Sequence, residues 1–266
     1  MKKVFSAILI ITVISLFFLC SCDNAKNDEE QSTDFNEEMI AVIEKSPALT
    51  SGNLITKTDT DDDGNIIVTY YDNKDNPVEE YVWNGDEKIS HNVMQYTESG
   101  LISTREEISP DGKSNTVYFY SYSDNGVLTG TTISTYENSL LIKTSTYDAN
   151  ENITEYILNS YNDKNLVVKA QRYNGDDNLL EYSVYDYNEN SQLKKFSTFT
   201  ADDELEKYTT FEYNSEGQKI SEKYFDGNNV LQSRYVTEYY DSGETKSITV
   251  YDGNGNIVSS ETFQQQ

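Results

Sequence analysis

His91 is the sole histidine of the 266-residue chain, and Cys20 and Cys22 are its only cysteines. Nucleophilic, general-base and zinc-assisted catalysis lean on those two residue types, so most routes to chemistry narrow at once to a single imidazole. It stands in His91-Asn92-Val93-Met94-Gln95-Tyr96, a strand-like stretch with no catalytic partner at motif spacing. A Ser-His-Asp, Cys-His or His-metal centre is not expected, and no glycine loop that could cradle phosphate is present. Carboxylates are the remaining resource, with 46 Asp and Glu against 20 Lys and Arg. A glycosidase needs one acid in an apolar pocket and a second, ionised one nearby. Most of these acids instead fall in polar turn segments, where solvent keeps a carboxyl ordinary. The reading is therefore of a non-enzymatic protein with no catalytic residues and no cofactor, and a carboxylate-dependent polysaccharide hydrolase is the alternative.

One acidic segment is sharper. Asp59-Thr60-Asp61-Asp62-Asp63-Gly64-Asn65-Ile66 has the D-x-D-x-D-G-x-I opening of a calcium loop, in which alternate carboxylates converge on a hard cation. Asp59, Asp61 and Asp63 are the candidate ligands. Tyr70 occupies the twelfth position, where such a loop needs a bidentate glutamate, so any Ca2+ affinity is expected to be weak. The segment also falls in register with the other turns of the chain, and an acidic hairpin turn is the favoured reading. The formal charge of -26 repels nucleic acid and anionic headgroups, which excludes a nucleic-acid partner and leaves solubility as the main role of the charge.

Whatever these residues do, strands must position them. The chain holds 22 Tyr and 10 Phe but only 3 Pro, a strand composition, and its mean hydropathy of -0.68 leaves too little aliphatic material for one thick core. Tyr147, Tyr173, Phe199, Phe225 and Tyr251 recur every 26 residues. Ile153, Leu179, Leu205, Leu231 and Ile257 follow each of them by six. Tyr161, Tyr187, Tyr213 and Tyr239 form a second family with the same period, interleaved at steps of 14 and 12. Asn, Asp and Gly follow each aromatic, the residues of tight turns. Between turns the chain alternates, as in Tyr208-Thr209-Thr210-Phe211-Glu212-Tyr213, with the two-residue period of a strand. The expectation is an all-β, elongated antiparallel meander of about eight 26-residue hairpin repeats with about seventeen strands, coiled into an open spiral or half-pipe over residues 51–266. Aromatics 26 apart should form ladders across the sheet. They either cover the backbone or present Tyr161, Tyr187, Tyr213 and Tyr239 as a face that stacks on sugars or holds a protein.

The N-terminus supplies a different signal. Lys2 and Lys3 precede an apolar stretch from Val4 to Leu19, too short for a membrane span, and Leu19-Cys20-Ser21-Cys22 follows. This run resembles the lipobox of bacterial lipoproteins, which implies cleavage after Ser21 and lipidation of Cys22. Residues 1–21 are then a signal peptide and residues 22–50 an acidic tether with a short helix over 37–45. The implied location is the cell membrane or outer membrane, facing periplasm or exterior, held by lipid and not by charge.

The pattern Tyr251-Asp252 with Gly255 and Ile257 resembles the YD repeat of Rhs-family proteins and is similar in style to MORN-type antitoxin-like hairpin repeats, over about residues 58–263. The arginine that commonly follows the glycine in YD repeats is replaced by Asn256, Gln218 and Val127, so the resemblance implies strand-turn-strand architecture only. Proteins of this style serve as shells, scaffolds and binding surfaces. The functional expectation is a lipid-anchored envelope protein that binds or scaffolds a protein or glycan, with an antitoxin or immunity role as a further alternative.

Overall fold

The computed structural model describes residues 54–265, and within them the chain is all strand and turn. The signal peptide, the lipid site at Cys22, the tether and the helix expected over 37–45 lie outside the described residues. Seventeen strands run from β1 (Ile55–Thr60) to β17 (Ile257–Thr262) in one open antiparallel sheet. Each pairs with its neighbours in sequence, as the meander reading expects.

The turns explain the spacing. In the hairpin joining β13 (Leu205–Tyr213) to β14 (Lys219–Asp226), Gly217 N donates to Asn214 O and Asn214 N to Gln218 O. The Asn214 side-chain oxygen accepts from the backbone N–H of Glu216 and Gln218, closing an Asx turn. The same arrangement recurs at Asp72, Asp148, Asn162, Asn174, Asn188, Asp226 and Asp252. The fourth turn residue takes a positive φ, and a one-residue bulge follows it, as after Gly217 where Tyr213 pairs with Lys219. Gly217, Gly243 and Gly255 fill that position without strain, whereas Glu151, Asp177, Ser191 and Asp203 hold it at φ 63–65°. Glu151 is the least suited, since Asn, Asp and Ser can bond locally there. Glu151→Gly should raise stability by about 1 kcal/mol, read as a higher denaturant midpoint at unchanged slope; a lower midpoint would contradict this turn geometry.

Packing is thin. Among the described residues no large side chain is fully buried; Val78 and Val117 are buried singly, and one cluster forms from Ala170, Tyr185 and Leu193 with Ile157, Val167, Tyr187, Phe196 and Phe211 packed against them. Ser197 and Thr198 are successive and so point to opposite faces, yet each is only 4% exposed. Large side chains thus overhang small ones on both sides of a single layer.

Candidate functional site

The two aromatic families take opposite faces. In β11 (Leu179–Tyr187), Tyr182 and Tyr187 are an odd number of residues apart, so alternation sends them to different sides. On the side of Tyr187, the tyrosines closing the odd-numbered strands reach back to backbone carbonyls. Tyr161 OH donates to Leu141 O at 2.7 Å, Tyr187 to Val167 O at 2.8 Å, and Tyr213 and Tyr239 to Leu193 O and Lys219 O at 2.9 Å. Tyr122 treats Ile102 O the same way. On β10 (Val167–Asn174) the ladder with β11 begins at Lys169, so the carbonyl of Val167 lies just beyond it and Tyr187 closes it with a side chain. The spacing of 20 residues between donor and acceptor is thus the fold's own period less one turn. In Tyr161, Tyr187, Tyr213 and Tyr239 the hydroxyl is spent on the backbone, and only ring edges and faces remain for a partner.

Tyr182 belongs to the other side, where the expected cross-strand ladders stand. Tyr156 stacks on Tyr173 at 4.9 Å, Tyr182 on Phe199 at 4.9 Å and Tyr208 on Phe225 at 4.6 Å. Lys143, Lys169 and Lys195 each cap the near face of the tyrosine, 4.3–4.7 Å from its centroid. One repeat on, Arg234 stands in the place of the capped tyrosine and lies over Tyr251 at 4.4 Å. Tyr156, Tyr182 and Tyr208 are thus sandwiched, with a cation on one face and a ring on the other, each contact worth on the order of 0.5–1 kcal/mol. A sugar cannot lie flat on a ring so enclosed.

Burial raises the hydroxyls of Tyr185 and Tyr187 to about 12. Because the folded chain holds those protons more tightly than an unfolded tyrosine of ordinary pKa, their contribution is complete below pH 10 and is lost as pH rises toward 12. At the acid end, hydrogen bonds from Asn152 and Asn256 hold Asp148 and Asp252 below the ordinary carboxylate range. That contribution is present above pH 4 and disappears as pH falls through the folded values. A tyrosine absorbance titration should show a delayed class ionising near pH 12 together with loss of the strand signal. All tyrosines titrating near pH 10 with the strands intact would contradict it.

At the acidic segment, Asp61 spends its carboxylate on the turn. Oδ1 accepts from the N–H of Asp63 and Asn65, and Oδ2 accepts from Asn65 Nδ2. Asp59 sits on exposed β1, while Asp63 lies inside the turn itself. Among the described residues no group of three or more His, Cys, Asp or Glu is placed to hold a metal ion. Asp61 thus heads the hairpin turn between β1 and β2 (Ile66–Tyr71).

Sequence reasoning missed one cluster. Tyr81 on β3 (Pro77–Asn84) pairs with His91 on β4 (Glu87–Tyr96), and their rings stack at 4.2 Å. Glu79, two residues back on the same face, lies 2.9 Å from His91 Nε2 and accepts from Tyr81 OH at 2.5 Å. Burial pushes the Glu79 carboxyl up, but those hydrogen bonds and the imidazole outweigh it and hold it below the usual range. On β5 (Ile102–Ile108), Glu106 is also only 7% exposed, and burial raises it despite a hydrogen bond from Asn115. Two buried acids with opposite shifts thus flank the only imidazole. The signal was present in the alternation of Glu79, Tyr81 and His91, but it needed the β3–β4 register to be read.

A shallow, open groove is lined by Asn162, Lys164, Tyr185, Asp186, Tyr187 and Asn188 among others, and neither acid lines it. No protein-family model matches the chain, and neither does any curated protein. Solved structures give distant likenesses. A Photorhabdus luminescens Tc holotoxin pore is 12% identical over 79% of this chain, at a TM-score of 0.22, and the match spans 15% of the toxin chain. A porin-like protein from Bacteroides uniformis is 12% identical over 78% of this chain and 92% of its own, at 0.32. One from Bacteroides vulgatus is 9% identical over 79% and 87%, at 0.23. Superpositions this loose carry nothing about function.

Proposed function

We propose that this chain is a lipid-anchored protein of the cell envelope whose repeat sheet is a non-enzymatic surface for a glycan or protein partner. The observation that carries the reading is an open sheet with tyrosine-rich sides and a shallow, open groove. The resemblance of Leu19-Cys20-Ser21-Cys22 to a lipobox supports the anchor, and the charge of -26 argues that lipid, not charge, holds it there.

A second reading, hydrolysis of a polysaccharide, draws on one observation, the opposite shifts of Glu79 and Glu106. Both carboxyls are covered, which weighs against it, because a general acid must come within hydrogen-bond reach of its substrate.

The test follows the full-length chain in cells fed an alkyne-bearing palmitate. Label should enter the parent and be absent from Cys22→Ala, which should leave the membrane fraction. The solubilised parent should then retain envelope glycan or protein on a column. An unlabelled parent, or one that retains nothing, would overturn the reading.

A further inference from the structure

The repeats align the chain against itself, and a patch near the C-terminal end departs from the copy before it. On the Tyr187 side, positions 26 apart share an environment, and in the preceding repeat they hold small or apolar residues, although the Thr198 column carries the ion-paired Arg172 one repeat earlier still. Ala170 and Leu193 are each 7% exposed, Thr198 is 4% and Thr209 is 8%. One repeat on from Leu193, Thr198 and Thr209 stand Lys219, Tyr224 and Tyr235, and two repeats on from Ala170 stands Glu222. Tyr224 is 37% exposed and Tyr235 is 40%. Nothing in the strand geometry demands the change, since the preceding repeat folds with threonine at both tyrosine positions.

The four side chains form a unit. Glu222 on β14 pairs directly with Tyr235 on β15 (Leu231–Tyr239), and Tyr224 lies beside it on the same face. The two rings meet edge-on, with centroids 5.6 Å apart and planes at 64°, so they form a corner and not a sandwich. No lysine caps either ring, unlike the stacked ladder of the opposite face. Lys219 Nζ lies 2.8 Å from Glu222 Oε2, and Tyr224 OH donates to Oε1 of the same carboxylate. An acceptor and a donor thus stand fixed at the rim of two open aromatic faces.

The size of the patch selects its occupant. A tyrosine side chain offers about 150–250 Å²; at the exposures above, the two present on the order of 150 Å² together. A stable protein interface needs about 800 Å² on each side. One or two pyranose rings need far less. Their apolar C–H faces match an aromatic ring, and their hydroxyl rims match a carboxylate and an ammonium.

We propose that Tyr224, Tyr235, Glu222 and Lys219 form a binding subsite for a neutral oligosaccharide, with successive sugar rings against the two tyrosines and hydroxyls on Glu222 and Lys219. This deepens the binding-surface reading and rests on it. A neutral chain fits because the single ammonium is already matched by the carboxylate, leaving no spare cation for an anionic sugar.

The test uses the full-length chain in detergent and calorimetry with neutral hexasaccharides of β-linked glucose, mannose and N-acetylglucosamine. The variants are Tyr224→Thr and Tyr235→Thr, the residues of the preceding repeat, so the fold has a precedent for each; Phe119→Ala, exposed elsewhere on the sheet, is the control. At least one hexasaccharide should bind the parent and the control, and each threonine variant should weaken it tenfold or more with an unchanged strand signal. Equal binding by the threonine variants would overturn the subsite while leaving a binding surface in place. A parent that ignores all three sugars but still retains envelope protein would overturn the sugar class alone. Retention of nothing at all would remove the underlying reading as well.

Discussion

Tyr185→Ala should lower the unfolding free energy by about 3 kcal/mol, the ordinary cost of emptying a buried aromatic site. Tyr185 is 9% exposed and packs against Phe196 at 5.0 Å, at the centre of the small cluster with Ala170 and Leu193. In a compact domain the loss would spread through one core. Here each strand is hydrogen-bonded to its sequence neighbours, so stability is close to a sum of repeat terms and nearest-neighbour terms. The substitution should therefore also split the unfolding transition, with a shallower denaturant slope and early hydrogen exchange in β10–β11 and β12 (Leu193–Thr200). A single unsplit transition losing less than about 1 kcal/mol would show that the cluster is not the strongest link in the sheet.

Gly227→Val is the second large effect. A Cβ at Gly227 would sit 2.0 Å from Leu205 O and 3.2 Å from Glu206 O, and Gly175 and Gly253 meet Ile153 O and Leu231 O at 2.0 Å and 2.2 Å. The same 26-residue column holds Ala149 and Ala201, so a methyl is accommodated where the turn shifts, and nothing larger occurs from 149 to 253. Gly227→Ala should cost about 1 kcal/mol and Gly227→Val about 3 kcal/mol, since a branched side chain adds overpacking against backbone to the turn shift. Thermal melts of the two variants check this. Equal costs would mean that the turn moves freely and that the contact is not limiting.

The strands were legible because the turn residues announce them. Steps of 14 and 12 between tyrosines set strand and turn lengths, and the expected count of about seventeen strands is the one observed. Even the exceptions were readable: Glu151, Asp177, Asp203 and Asn229, in place of glycine, hold the same positive φ. The role of the tyrosines was not legible. Nothing in the period of Tyr161 and Tyr187 says that a bulge leaves a carbonyl beyond the ladder 20 residues upstream, and only the register of β10 on β11 shows it. The Glu79–His91 contact was hidden for the same reason, because it joins residues 12 apart through a hairpin whose bulge falls between Val82 and Trp83. Tyr224 and Tyr235 could have been found from sequence, by asking which copies of the repeat depart from their neighbours. Periodicity draws attention to what recurs, and the candidate subsite lies where it fails.

The central claim is that this sheet holds its partner without transforming it. The most direct test incubates the full-length protein with purified envelope polysaccharide, then measures the chain length and reducing ends of the material recovered with it. Polysaccharide that sediments with the protein at unchanged length, with no new reducing ends, is the predicted result. Shortened chains, with cleavage abolished by Glu106→Gln, would contradict it and make the buried acids beside His91 the working part of an enzyme.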